Sequence, residues 1–406
     1  MKIPGDVRVL FVLWLLVPGV PALGQAAQAQ AAAAAKKTST SAPKVSQEPD
    51  VPQADLAANP AADLSSVTLN FEDPKPIPGV PASSAFVEPI LCSPDGIPFV
   101  ELVQPKDFGP QSVYSLNPKG GRAYSIDAVP GLYDTGAIHG YFVSDSMVGL
   151  LVTATKDKTT APNMVSFGPG FPPKHVYTGK HHDYLVEFDR DGSYKKTLEL
   201  PEHYDFWRLA ALPDDTFIAL AYDRVSAQPL LLVLDSDGEI KHPIELPNAM
   251  VENPTMTQGE TGGMRTEMAA ESSMSWWLFA PARKDVLLYQ AHSHAPVLEV
   301  GAGGAVREVP LQAPKGYVLD GVISASDMWI MRYRRESLSD HGEIDARPET
   351  KNYVLYEVNP LDGSLMREID AGAGPFYSIA CEGDGVVTAF RMDGKKMERE
   401  TADLPR

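Results

Sequence analysis

The chain has 406 residues, a formal net charge of −18 from 53 acidic and 35 basic side chains, and a hydrophobic fraction of 44%. Gly and Pro number 32 and 36, about one residue in six, a load that suits many tight turns and argues against a bundle of long helices. The acidic surplus excludes electrostatic capture of nucleic acid or of an anionic membrane, and two cysteines exclude a disulfide-dense scaffold or a four-cysteine zinc site.

At the N-terminus Lys2 and Arg8 precede the apolar run Val9–Val17, followed by Pro18, Gly19 and Pro21 and by the small residues Ala22 and Gly24. This is the layout of a secretory signal peptide over 1–24, with cleavage expected after Gly24, or after Ala29. An uncleaved anchor is the competing reading, but the apolar core is short for a span and is broken by proline. No cysteine follows the run to accept a lipid. Residues 25–64 are dominated by Ala, Gln, Pro, Ser and Lys, too poor in apolar bulk to offset chain entropy, and read as a disordered linker. Together they predict an exported protein: periplasmic, secreted or held at the cell surface, with no membrane span once the leader is removed.

Residues 65–406 show no sustained helical periodicity. Ser66–Glu72 alternates like a strand. Beyond it come short runs of Val, Ile, Leu, Tyr and Phe cut by Asp, Gly and Pro, and they align into one recurring unit. Its first half, strand–turn–strand, is clearest at Ile90–Val100, Leu209–Leu220 and Ile379–Phe390, with weaker copies near Tyr141, Trp276 and Val322. Its second half is a hairpin turning at Gly120-Gly121, Asp191-Gly192, Asp237-Gly238, Gly303-Gly304 or Asp362-Gly363, dipeptides that supply the positive φ of two-residue hairpin turns. Four strands repeated six times predict an all-β fold, a six-bladed β-propeller with four antiparallel strands per blade.

With its Asp-x-x-Gly hairpins, as at Asp189–Gly192 and Asp235–Gly238, the chain resembles the six-bladed propellers of the broad NHL-like and TolB-like type over residues 65–406. The resemblance implies an architecture and no activity. A pair of β-sandwiches is the rival fold, but sandwiches lack this two-hairpin repeat. The sixth unit is one strand short, so Ser66–Glu72 is expected to serve as its outer strand and close the ring. Cys92 and Cys381 fall at the same position of the innermost strand in the first and last units, neighbours in a closed ring. A closing disulfide and two buried free thiols both remain open on the sequence.

In an up-and-down blade the turns between strands one and two and between three and four share one face. The remaining loops share the other. Every long insertion falls in the second set: Lys156–Lys180, Pro247–Ser273 and Arg334–Asn352. Long loops on one face of a rigid scaffold predict the binding side. His139, His175, His181, His182, His203, His292, His294 and His341 lie in or beside these loops, and His242 on an outer strand. His292-Ser293-His294 would direct both rings to one side of a strand, and His181 and His182 are followed by Asp183. Each pair is a candidate for Zn²⁺, although polar residues gather in loops without any metal. Residues opening the innermost strands would ring the channel mouth: Glu88, His139, Trp207 with Arg208, Trp276, Asp320 and Tyr377. Such a ring could hold a sugar, peptide or lactone, while Ca²⁺ would find only Glu88 and Asp320 as acids there. The tryptophans serve equally as packing between blades. No Gly-x-Ser-x-Gly, HExxH or phosphate-cradling glycine loop occurs. Met250, Met256, Met264 and Met268 add an adaptable apolar surface to one insertion. Three functional readings follow: first a monomeric, non-enzymatic propeller binding a protein or small molecule without a cofactor, then a metal-assisted hydrolase, lactonase or lyase at the channel mouth, and last a purely structural envelope component.

Overall fold

A computed structural model describes residues 64–405 apart from 82–84, 104–111, 127–128, 133–137, 157–162, 166–173, 177–180, 227, 245, 247–276, 283–284, 326–327, 337–350, 372–378 and 394–395. The expected leader, 1–24, and all but the last residue of the expected linker lie outside the described residues, as does the methionine-rich insertion. No helix among the described residues is long and apolar enough to cross a membrane. Among them helical conformation is confined to a single 3₁₀ turn, Ala302–Gly304, and to Ile126.

Six antiparallel sheets follow one another along the chain, and each is a blade. From the centre outwards, blade one comprises Ala85–Cys92, Pro98–Val103, Ser112–Ser115 and Arg122–Ser125. Blade two runs Ile138–Val143, Met147–Ala154, His182–Asp189 and Tyr194–Glu199. Blade three is Tyr204–Ala211, Phe217–Asp223, Gln228–Leu234 and Ile240–Ile244. Trp277–Pro281, Val286–Gln290, Val297–Val300 and Val306–Val309 form blade four. Blade five holds Tyr317–Ala325, Trp329–Arg335, Tyr353–Val358 and Leu365–Asp370. Blade six has Ile379–Gly383, Val386–Asp393 and Lys396–Asp403.

Strand alternation explains why the second and third strands carry apolar residues on both faces. Successive side chains point to opposite faces of a blade, and both faces are covered by a neighbour. In blade one Phe99 packs towards blade two with Val113, Tyr124, Tyr141 and Phe188. Its neighbours Val100 and Leu102 pack the other way, with Phe390, Met397 and Cys381 of blade six. Among the described residues six such apolar clusters occur, one for each pair of adjacent blades, and the pair six–one is among them. Each fully buried Leu, Val or Phe in them contributes on the order of 1.5–3 kcal/mol. Outer strands meet solvent on their far side, and Tyr194–Glu199 is accordingly partly exposed along its length.

The hairpin turns differ from expectation in one respect. Gly192, Gly238 and Gly363 take φ of 89°, 86° and 71°, but the aspartates before them are not among the positive-φ residues. The outer-strand pairing shifts by one residue at Phe188, Leu234 and Val358. These are type I turns closed by a glycine bulge, not two-residue primed turns. The opening aspartate explains the choice: Asp235 Oδ1 accepts from the Asp237 and Glu239 backbone N–H at 2.9 and 3.0 Å. Asp384 and Gly385, both at positive φ between Gly383 and Val386, do form a two-residue turn.

Ser66–Glu72 does not become the outer strand of blade six. Ser66–Thr68 pairs in parallel with Leu365–Asp370, adding a fifth strand to blade five, and the chain then crosses to the next blade. There the Glu72 N–H donates to Thr401 O at 2.8 Å, and the short strand Lys75–Pro76 pairs with Glu398 and Arg399. Leu69 explains the difference, because it is buried against Ile323, Ile330 and Leu355 and so ties this segment to the cluster between blades five and six. The Cys92–Cys381 disulfide joins the innermost strands of blades one and six, with Cα atoms 5.5 Å apart across a sequence separation of 289.

Candidate functional site

The connectivity puts the loops between second and third strands, and between blades, on one face. The insertions at 156–180, 247–273 and 334–352 belong to that face, and two of them differ in extent or structure from the sequence reading. Residues Asn163–Val165 and Lys174–Val176 pair as a small hairpin within the first. Arg334 and Arg335 still belong to a strand, so the third begins at Glu336.

At this end the innermost strands share a local irregularity. Their pairing with the second strand slips across residues 88–90 in blade one, at 139 in blade two, at 207 in blade three, at 320 in blade five and at 380 in blade six. Glu88, His139, Trp207 and Asp320 therefore occupy β-bulges, released from the regular ladder. Such bulges bend a strand and re-aim one side chain, and are common beside functional sites. Blade four is regular over Trp277–Pro281. Trp276 and Tyr377 lie outside the described residues, and for Glu88 and His139 only the backbone position is described.

Asp320 anchors the polar side of the mouth. Its Oδ2 accepts from Arg332 Nε at 2.5 Å and its Oδ1 lies 3.2 Å from His292 Nε2, with the Asp320 side chain 9% exposed. Burial alone would raise this carboxyl, but the Arg332 guanidinium and the His292 ring outweigh it and hold it down at about 2. Arg332 reaches further, donating through Nη1 to Ile379 O of blade six at 3.3 Å. The strand carrying Asp320 is tied to blade four where the His292 N–H donates to Leu319 O at 2.6 Å.

Across the channel, Trp207 packs partly against the cluster between blades three and four, as a packing role requires. Its carbonyl accepts from Arg208 Nη1 at 2.9 Å. Arg208 is deeply placed, and burial lowers its guanidinium against the opposing pull of Tyr141, Glu101 and Tyr289. These three residues belong to blades two, one and four, so the charge of Arg208 is felt around half the ring. Glu101 is 4% exposed and its Oε1 has no hydrogen-bond partner. Burial pushes its carboxyl up to about 7 despite the Arg208 charge.

The histidine pairs separate. His292 has φ of 61° and sits in a turn, so His292-Ser293-His294 is not the strand expected from its spacing. Its two rings hold different acids, Asp320 for His292 and Glu336 for His294 at 2.8 Å. His182 opens the third strand of blade two, and its Nδ1 lies 3.3 Å from Glu199 Oε1 and 3.3 Å from Glu202 Oε1. His181 precedes it in an exposed position, and Asp183 is engaged by Thr153 Oγ1 at 2.7 Å. His182, Glu199 and Glu202 are the one group of three metal-ligating side chains converging among the described residues.

Glu101, Arg332, Glu199 and Glu202 escaped the sequence reading. Glu101 carried a signal, a charge inside the otherwise apolar second strand Pro98–Val103, whereas Arg332 shares its strand with Arg334 and Arg335 and did not stand out. Glu199 and Glu202 carried none, because their meeting with His182 depends on how the outer hairpin registers.

No protein-family model matches the chain, and no curated protein matches it in sequence. Among solved structures, Trypanosoma rangeli sialidase is 9% identical over 83% of this chain and 55% of its own, with a TM-score of 0.35. A DUF4623 family protein from Bacteroides eggerthii is 8% identical over 80% and 72%, with a TM-score of 0.37. A Bacteroides caccae protein of unknown function is 11% identical over 70% and 79%, with a TM-score of 0.31. At these values none of them assigns an activity.

Proposed function

We propose that the chain is an exported propeller that binds a protein or small-molecule ligand through its long-loop face, with the channel mouth as the element that selects it. The observation that carries this reading is the register slip at Glu88, His139, Trp207 and Asp320, which recurs at corresponding positions of four innermost strands on two acids, a histidine and an indole. An acid, a base, an indole and a carboxylate already paired to Arg332 suit a polar ligand with one flat or apolar face, such as a sugar or a peptide side chain. Export is supported by the leader composition, and an oxidising compartment suits the disulfide.

The test is a glycan array and a peptide library screened with the mature chain, with Trp207→Ala and Asp320→Asn, and with Asp237→Asn on the opposite face. A hit that both mouth variants weaken and Asp237→Asn leaves intact supports the reading. A hit lost only through Asp237→Asn would sink it. The enzymatic alternative requires Asp320 to exchange Arg332 for a metal ion. Turnover of ester, lactone or glycoside probes that depends on added Ca²⁺ or Zn²⁺ and is lost in Asp320→Asn would put that alternative in its place.

A further inference from the structure

On the long-loop face of blade two, away from the mouth, three side chains meet from separate pieces of chain. His182 opens the third strand, Glu199 ends the fourth, and Glu202 lies in the turn leading to blade three. His182 Nδ1 lies at 3.3 Å from one oxygen of each glutamate, and the three atoms all fall within 4.8 Å of one another. A protonated ring donating to a single carboxylate would sit closer, at about 2.7–2.9 Å. The two 3.3 Å separations from Nδ1 match the edge of a tetrahedron whose ligands stand about 2.0–2.2 Å from a central ion, an edge of roughly 3.3–3.5 Å, and the third separation, within 4.8 Å, lets the two glutamates converge on the same point.

We propose that His182 Nδ1, Glu199 Oε1 and Glu202 Oε1 form a zinc-class divalent metal site at the root of the 156–180 insertion. One imidazole nitrogen with two carboxylate oxygens suits Zn²⁺ and its transition-metal neighbours, whereas Ca²⁺ and Mg²⁺ favour an all-oxygen shell. Three protein ligands leave one position for water or an external donor. The surroundings orient the set. Lys156 Nζ holds the second oxygen of Glu199 at 2.9 Å, leaving Oε1 directed at His182, and the same ammonium lies 4.8 Å from the Tyr184 ring centre. His182 is 15% exposed, and Glu202, at 56%, is the more exposed of its two carboxylate neighbours. Because Lys156 and His182 flank the insertion on either side, a bound ion would pin both ends of it to the outer edge of blade two.

The experiment titrates metal-free, full-length mature protein with ZnCl₂ by calorimetry and follows the thermal midpoint. One equivalent of zinc is expected, raising the midpoint, with binding lost in His182→Ala and weakened at least about tenfold in Glu202→Gln. Glu202→Gln is isosteric and partly exposed, so it keeps the test valid if His182→Ala fails to fold. His294→Ala is expected to bind zinc as the parent does, and tenfold Ca²⁺ is expected not to displace it. The absence of saturable binding, binding untouched by both variants, binding lost instead in His294→Ala, or displacement by Ca²⁺ would each overturn the proposal.

Discussion

Removing the Cys92–Cys381 bridge tests whether the ring closes as described. The bond spans 289 residues, nearly the whole propeller, so in the chain-entropy account it removes on the order of 5–6 kcal/mol of freedom from the unfolded state. Measured losses fall below that ceiling, because reduced denatured chains keep residual structure, so a cost of about 2–4 kcal/mol is expected. The native ring should survive the loss. Lys75–Pro76 still pairs with the last strand, and Ile77, Val100, Phe390 and Met397 still pack between blades six and one. The assay is urea unfolding followed by tryptophan fluorescence on the oxidised parent, the reduced parent and the double variant Cys92→Ala, Cys381→Ala. Alanine avoids burying a hydroxyl at Cys381, which is fully buried. Agreement between the reduced parent and the double variant separates loss of the cross-link from loss of packing. Two titratable thiols in the denatured, unreduced parent, or a double variant within about 0.5 kcal/mol of it, would refute the closure argument.

Three further outcomes follow from the same contacts. A Cβ at Gly383 would lie 2.6 Å from Gly96 Cα, so Gly383→Ala should lower stability by about 1–3 kcal/mol in thermal unfolding, with no positive φ to confuse the cause. Asp320, depressed from 3.8 to about 2, adds stability that is present above the unfolded value and is lost as pH falls through the folded one. Asp320→Asn should therefore flatten the acid limb of the stability profile by about 2 kcal/mol between pH 4 and pH 2. Glu101 carries the opposite sign: raised from 4.5 to about 7, its contribution is full at low pH and is lost as pH rises through 7. Glu101→Gln should remove a decline of about 3 kcal/mol between pH 4.5 and pH 7, read from denaturation midpoints across that range.

The architecture was legible because a propeller repeats its demands. Each blade needs two strands covered on both faces and a glycine where the outer hairpin turns, and Leu209–Leu220 with Asp235–Gly238 displays both within thirty residues. The fate of Ser66–Glu72 was not legible. Alternation marks it as a strand, yet two edges stood within its reach, and burial of Leu69 between blades five and six decided between them. The turn type was also hidden, since Asp-Gly serves a primed turn and a type I turn with a bulge alike. The register shift at Phe188 and Leu234 depends on the pairing of the whole hairpin. For the same reason Glu199 could not be matched to His182 beforehand, since their meeting is set by the ladder linking Tyr184 to Glu199 and not by spacing in the chain.

The bulges connect what was legible to what was not. A repeat scaffold constrains every position that touches the next blade, and near the slips of blades three, five and six Phe206, Leu209, Leu319 and Ile379 are buried and apolar. A bulged residue is withdrawn from that ladder and from the demand for apolar packing. Glu88 and Asp320 are acids, His139 an imidazole and Trp207 an indole, and the equivalent position in blade six is Ala380. Variation at one structural level, set in a framework that does not vary, is the pattern expected where each blade contributes a separate contact to an asymmetric ligand. The charges nearest that level are not left to solvent either. Arg332 links Asp320 to the Ile379 carbonyl of blade six, and Arg208 extends its field to Glu101, Tyr141 and Tyr289. A ligand entering from the long-loop face would thus meet groups whose positions are already fixed by neighbouring blades, which lowers the ordering cost of binding and favours selectivity over adaptability.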